Sequence, residues 1–277
     1  VVTIASEPMC PKRYCELSNA VGAIAGDDVV DVTVTCEVPR VVLVTASWGD
    51  DSIMITEDLH TLADGATATP RRIAGVNTQI SGPTANGVAI DAANEEIYLA
   101  DNDGQVLVFD QMWTVDGNAT PSRIITVSGA VTFDGIQLDT SGSGRLYLTG
   151  WTSSDPFLWI IDSPSTLDGV VVPDQTISNI GSPSLSLDRV NDRLFVSSDY
   201  EQEIYVFDDA SLLTTGATPD RTVTWEYPTT GFSGPSSVWI DSCTDRLYVS
   251  SNWATTAGNY LVVFDHAATI DGAVDLD

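Results

Sequence analysis

Apolar positions along this chain fall in short runs. Within each run β-branched or aromatic side chains alternate with small or polar ones, and Asp-Gly, Asn-Gly or Gly-Pro steps separate the runs. That is period-two strand patterning bounded by turn chemistry, and no stretch sustains the helical period. The runs recur in sets of four. One set reads NGVAIDAANEEIYLADNDGQVLVFDQMWTVDGNATPSRIITV, Asn86 to Val127, and another PSLSLDRVNDRLFVSSDYEQEIYVFDDASLLTTGATPDRTVTW, Pro183 to Trp225. The sets repeat every ~46 to 57 residues, and a period of that size with four strands per unit predicts the blades of a β-propeller.

Within a set the first strand ends in Asp, at Asp91, Asp139, Asp188 and Asp241. A carboxylate that recurs from unit to unit suits the N–H groups of a tight turn better than it suits catalysis. The second strand centres on Tyr98, Tyr147, Phe195 and Tyr248, and the third closes near Asp110, Asp162, Asp208 and Asp265. Asp-Gly follows at 64–65, 116–117, 168–169 and 271–272; then Pro and an Arg (Arg71, Arg123, Arg221) open the fourth strand.

Five sets fit, over residues 29–80, 81–130, 131–180, 181–230 and 231–277. The expectation is one all-β domain over residues 1–277, a five-bladed β-propeller of four-stranded blades. The first set is degenerate, with 32–35 in its inner-strand slot. The fifth lacks a fourth strand, and Val1 to Ile4, within residues 1–6, has the pattern of the missing piece. The ring is therefore expected to be closed by the N-terminal strand, with 7–28 as a disulfide-pinned loop between closing strand and first blade. Six blades is the alternative, if residues 1–26 hold more structure.

The cysteines fit this closure. Cys36 and Cys243 occupy equivalent turns of the first and last blades, neighbours in a closed ring, so the expected bridges are Cys36–Cys243 and Cys10–Cys15. Four cysteines in a chain that begins with Val rather than Met point to processing and an oxidising compartment, extracellular or periplasmic. The net charge of −28 sets 39 Asp and Glu against 11 Lys and Arg. Such a surface repels phosphate backbones, so no nucleic acid partner is expected. No apolar run reaches the ~20 residues of a membrane-spanning helix, so no membrane insertion is expected.

The repeated FD-x(3)-T-x-D-G-x(3)-P-x-R-x-I phrase resembles the NHL and YVTN-like propeller repeats of secreted bacterial proteins, over residues 29–277 and the first strand. The resemblance implies a propeller. Such families include carbohydrate binders, protein-interaction platforms and some lyases or lactonases, and none of their catalytic motifs can be matched onto this sequence.

Propellers bind at the mouth of the channel, where the loops between second and third strands gather. Here those loops bring Trp48, Asn102, Trp151, Tyr200 and Trp253 to similar places, beside acids including Asp50, Asp155 and Asp199. Aromatic faces next to carboxylates and amides suit sugar rings, and the same residues could instead pack blade on blade. Asp101-Asn102-Asp103-Gly104 resembles the start of a calcium loop, so calcium is the one candidate cofactor, at Asp101 and Asp103. The terminal Glu of such a loop is replaced by Met112, and turn chemistry alone also accounts for the tetrapeptide. His60 and His266 fall on the far face, and neither a nucleophile elbow nor a phosphate-cradling Gly loop is present. The expected function is recognition of a glycan or extracellular protein. The alternatives are a polysaccharide hydrolase or lyase using channel carboxylates, which needs a flanking acid pair, and a structural part of an extracellular assembly.

Overall fold

The structure is a computed structural model that describes residues 14–18, 33–37, 42–47, 51–57, 62–81, 87–181, 184–198, 201–225, 234–251 and 260–274. Strands β1 (Tyr14–Ser18) and β2 (Thr33–Glu37) pair antiparallel, with Cys15 opposite Cys36. Blade 1 comprises β3 (Val42–Ser47), β4 (Ser52–Glu57) and β5 (Arg71–Ala74). Blade 2 comprises β6 (Gly87–Asp91), β7 (Glu96–Asp101), β8 (Gln105–Phe109) and β9 (Arg123–Val127). Blade 3 holds β10 (Thr132–Asp139), β11 (Arg145–Trp151) and β12 (Pro156–Asp162); its chain then runs through β13 (Gly169–Val171) to the outer strand β14 (Gln175–Ser178). Blade 4 is β15 (Ser184–Asp188), β16 (Arg193–Ser198), β17 (Glu203–Asp208) and β18 (Arg221–Trp225). Blade 5 shows β19 (Ser237–Asp241), β20 (Arg246–Ser251) and β21 (Tyr260–Asp265), followed by β22 (Gly272–Val274). The blade sheets stand in a ring, a five-bladed β-propeller.

Alternation within each strand makes both faces of a blade apolar, and neighbouring blades bury them together. Tyr98, Val106, Val108 and Ile125 of blade 2 meet Leu146, Leu148, Phe157 and Trp159 of blade 3. Tyr147, Leu158, Ile160 and Ile177 meet Leu194, Val196, Tyr205 and Phe207 of blade 4. Phe195, Ile204, Val206 and Val223 meet Ile240, Leu247, Val249 and Phe264 of blade 5. Each fully buried aliphatic or Phe contributes roughly 1.5–3 kcal/mol.

The repeated polar residues join the same blades at their rims. Asp116 Oδ1 of blade 2 accepts the Arg72 amide of β5 at 3.0 Å, and Gly117 exchanges backbone bonds with Arg72 and Ala74. Asp168 takes the Ile124 amide at 3.0 Å while β13 adds parallel to β9. Asp271 takes the Thr222 amide at 3.1 Å while β22 adds parallel to β18. The Asp-Gly phrase is thus an inter-blade latch: blades 3 and 5 each lend a short strand to the outer edge of the blade before, and blade 2 bridges β5 through Gly117. Gly is needed because the latch passes through φ of +67° to +78° at Gly117, Gly169 and Gly272.

The Arg of the same phrase works beside the latch. Arg123 reaches Glu96 at 2.5 Å and donates to the carbonyls of Pro164 and Leu167 in the next blade, at 2.7 and 2.9 Å. Arg221 pairs with Asp208 and donates to Ala267 and Ile270, both at 2.9 Å. Arg71 pairs with Glu57 and reaches Val115 and Met112. In blade 3 the outer strand has Gln175 at this place. There Arg145 of β11 pairs with Asp162 and reaches Ala210 and Leu213 at 3.5 and 3.3 Å.

The first-strand aspartates cap turns, as their recurrence implied. Asp91 accepts the amides of Ala93 and Asn94 at 3.0 and 3.1 Å, and Asp188 accepts those of Val190 and Asn191, both at 3.1 Å. Asp139 and Asp241 each accept an amide at 2.9 Å, from Ser141 and Cys243.

Two sequence assignments shift. β2, read as the inner strand of blade 1, pairs with β1, and β1 itself lies in the stretch read as a loop. The alternation of Thr33, Val34 and Thr35 specifies a strand and carries no information about its partner. The closing strand at residues 1–6 lies outside the described residues.

Candidate functional site

Among the described residues of blades 2 to 5, the end of the second strand or the tip after it grips the connection that enters the same blade. Ser81, at the end of the link from blade 1, donates its amide to Asp101 Oδ2 at 3.2 Å. The Ser81 hydroxyl lies 2.9 Å from Asp101 Oδ2 and 2.7 Å from Asp103 Oδ2. In blade 3 the Val131 amide donates to the Trp151 carbonyl at 3.0 Å. In blade 4 the Ser198 hydroxyl donates to Glu201, whose carboxylate abuts Gly181. In blade 5 both the amide and hydroxyl of Ser236 donate to the Ser250 carbonyl, at 2.8 and 3.1 Å.

These grips account for several of the acids. Asp101 is buried, and its Oδ1 has no hydrogen-bond partner among the described residues. Burial pushes its carboxyl above the usual carboxylate range; bonds from Ser81 and the Asn102 amide oppose this, and the Asp103 charge adds to it. One hydroxyl proton serves only one of the two carboxylates it touches, so this pair is short of positive charge. Two carboxylates and a hydroxyl supply part of the oxygen set a calcium ion wants. Among the described residues no group of three or more His, Cys, Asp or Glu side chains is arranged to hold a metal.

Of the sequence candidates, Asn102, Trp151 and Asp155 share this face with Asp101 and Asp103. The link 129–131 joins the two tips: Ala130 lies against Gly104, and Val131 bonds to Trp151. Trp151 is 38% exposed, unlike the aromatics packed between blades 2 to 5. Beyond it the tip is a tight turn, closed by the Thr152 amide on the Asp155 carbonyl at 2.9 Å and the Asp155 amide on Thr152 Oγ1 at 3.0 Å. This turn holds Ser153, Ser154 and Asp155 in solvent. Trp48, Asp50, Asp199, Tyr200 and Trp253 lie outside the described residues, as does His60.

The far face has shallow polar clefts that the sequence did not single out. One is lined by Asn94, Glu95, Asp110 and Ser165, another by Arg246, Asp265 and His266. A third lies over Arg193, which is buried and bonded to Asp188 at 2.5 Å and to Asp245 of the next blade at 2.7 Å. Their signal was present in the turn residues, which recur too regularly to be told from capping. Cys243, exposed in the turn after β19, is disulfide-bonded. No helix among the described residues is long and apolar enough to cross a membrane, which leaves strand-built membrane barrels unaddressed.

No protein-family description matches this chain, and no curated protein matches it. Among solved structures it is similar to the crystal structure of a nidogen/laminin complex, at 17% identity and a TM-score of 0.50, over 86% of this chain and 81% of that one. What the two share is the architecture, so the chain is a β-propeller repeat protein by fold.

Proposed function

We propose that this propeller is a secreted recognition module, of the NHL or YVTN-like kind, that binds a glycan at the face built by the tips between second and third strands. The observation that carries the reading is Trp151: a large ring 38% exposed at the end of a paired strand, beside a turn of hydroxyls and a carboxylate. A sugar presents C–H faces to such a ring and hydroxyls to such a turn. The chain's −28 charge favours neutral or cationic ligands over anionic ones. Several arginines are already spent on blade joints, which leaves few to offset the surface acids.

A protein partner with a basic surface is the second form of the same reading, favoured by that charge. The hydrolase or lyase reading needs two acids on either side of a bond, whereas Asp101 and Asp103 converge on one hydroxyl. A disulfide at Cys243 is compatible with an oxidising compartment.

The test is a glycan-array screen of the folded protein, with calcium and with chelator. Binding lost in Trp151→Ala at unchanged thermal stability supports the reading, and dependence on calcium adds the ion at Asp101 and Asp103. Binding that survives Trp151→Ala, or no binding in either buffer, removes it.

A further inference from the structure

The latch that blade 3 lends to blade 2 leaves an open strand edge on the outer rim. β13 pairs with β9 on one side, and its other edge has no partner strand among the described residues. The Ser128 amide donates to the Val171 carbonyl at 2.9 Å, so the backbone of Val171 faces β9. Backbone groups in a ladder alternate sides, which turns the amide and carbonyl of Val170 and the amide of Val172 away from the sheet. The side chains alternate as well. Val171 packs against the core shared by blades 2 and 3, whereas Val170 is 77% exposed and Val172 76%.

The other latches are blunt at the same places. Register sets Gly117 opposite Ile73, Gly169 opposite Ile125 and Gly272 opposite Val223. The residue after the glycine is therefore Asn118, Val170 or Ala273. Asn118 Oδ1 accepts the Asn77 amide at 2.8 Å, and Ala273 offers one methyl. Two residues further on, at the place of Val172, the sequence has Thr120 and Asp275. An unpaired edge is a template for another strand, and polar or charged residues are a common means of closing it. The edge on blade 2 carries β-branched apolar side chains at both places instead. The latch itself does not call for them, because its bonds to β9 run through Asp168 and the backbone of Val171.

Charge identifies the occupant. Asp168 and Asp174 flank the valines, and both are exposed. Asp168 Oδ1 accepts the amides of Ile124 and Gly169, both at 3.0 Å, and Asp174 Oδ2 accepts that of Asp162 at 2.8 Å. The other oxygen of each carboxylate lies outside these bonds, and no Lys or Arg stands between the two residues in sequence. A second copy joined edge to edge would set these acids against their own equivalents, between molecules of charge −28. Like charges across a strand pair are destabilising. A segment with apolar β-branched residues between basic ends meets both the valines and the acids. We propose that the free edge of β13 takes such an extended segment of a partner protein as a sixth strand of the five-stranded blade 2 sheet. Main-chain bonds to Val170 and Val172 supply the affinity, and the alternate side chains and basic ends supply the selectivity.

NMR on the isotope-labelled full chain, titrated with the synthetic peptide KTVTVTVK, tests this. The amides of Val170 and Val172 should shift and exchange more slowly, while that of Val171 changes little because it already faces β9. Fluorescence anisotropy with the labelled peptide reads the affinity. Val170→Asn together with Val172→Thr copies the blade 2 latch, and should weaken binding at least tenfold with the melting temperature unchanged. Asp174→Asn keeps an acceptor for the Asp162 amide and should weaken binding about threefold, the range of one exposed ion pair. The peptide KTVPVTVK has the same charge but lacks a ladder amide, and should bind at least tenfold more weakly. Equal binding of the two peptides, or binding that survives the double variant, is charge attraction alone and overturns the proposal. So does the absence of binding. A dimer in sedimentation that the double variant dissociates also overturns it, and assigns the edge to a second copy. Trp151 is untouched throughout, so failure here is separate from failure of the glycan reading.

Discussion

Arg123 joins blades 2 and 3 through two carbonyl bonds while paired with Glu96, and replacing it with Met measures what the repeated Pro-x-Arg phrase contributes. Methionine keeps much of the stem and removes the charge. Left behind are the Glu96 carboxylate, whose side chain is 11% exposed, the Tyr98 hydroxyl 3.2 Å from the lost guanidinium, and the carbonyls of Pro164 and Leu167. Removing one partner of a buried ion pair costs about 3–5 kcal/mol, because the other charge stays buried without compensation. Water reaches this pair at the rim, so the lower end of that range, about 3 kcal/mol, is expected. Urea unfolding followed by tryptophan fluorescence measures it, with the m-value checked so that the midpoint shift can be read as stability. The double variant Arg123→Met, Glu96→Gln should recover at least ~1 kcal/mol, since it removes the stranded charge. A loss under about 1 kcal/mol for Arg123→Met, the range of a surface pair, would refute the claim that this arginine joins the blades.

Asp101→Asn tests the carboxylate pair at the mouth. The folded state raises the Asp101 pKa, so it holds that proton more tightly than the unfolded chain does; stability from this group is full in acid and falls as pH rises through the carboxylate range. In chelator the Asn variant should therefore melt higher than the parent at neutral pH and as high in acid. A lower melting temperature in chelator would contradict this, and a loss seen only with added calcium would show the ion. Asp188 has the opposite sign. Burial works to raise its pKa, but bonds from Asn191, Ser242 and Arg193 outweigh it and hold the carboxyl below its usual range. Its contribution is present above the ordinary carboxylate pKa and disappears as pH falls through the folded value, so Asp188→Ala should cost about 3 kcal/mol at neutral pH and flatten the acid limb of a stability–pH curve. Gly150→Ala would put a Cβ 2.1 Å from the Thr132 carbonyl oxygen, and a loss of about 2–3 kcal/mol in urea is expected. Peptide mapping without reduction should find Cys243 joined to Cys10 or Cys36; Cys15 stands opposite Cys36 in the β1–β2 ladder, so a Cys15–Cys36 bridge would assign Cys10 to Cys243.

The blades were legible because four signals recur along the chain and all agree in blades 2, 3 and 5: alternation, an Asp at the first turn, an aromatic mid-strand, and Asp-Gly after the third strand. What each signal does across the ring was less legible. Asp116, Asp168 and Asp271 look like ordinary turn formers, and nothing local shows that they hold the amides of the blade before them. The partner of β2 was hidden for a related reason: an edge of alternating Thr and Val pairs with any strand that reaches it. At the mouth, Trp151 was found by its slot in the repeat. The binding of Asp101 to Ser81 was not, since that contact spans 20 residues and depends on the entry path of a link. The far-face clefts escaped because their residues double as turn caps.

Gln175 takes the place that Arg71, Arg123 and Arg221 hold in their blades, and Arg145 covers it from the second strand at longer range. In an array of units coupled only to their neighbours, cooperativity breaks where coupling is lowest. Among the described joints, the one between blades 3 and 4 is the one whose outer strand sends no guanidinium across; there Gln175 Oε1 accepts the amide and the hydroxyl of Thr215 at 2.7 and 3.0 Å instead. Under heat, force or a protease the ring is then expected to open along this line first, while the blades on either side keep their own sheets. A single amide in place of a guanidinium marks where the ring should begin to unwind.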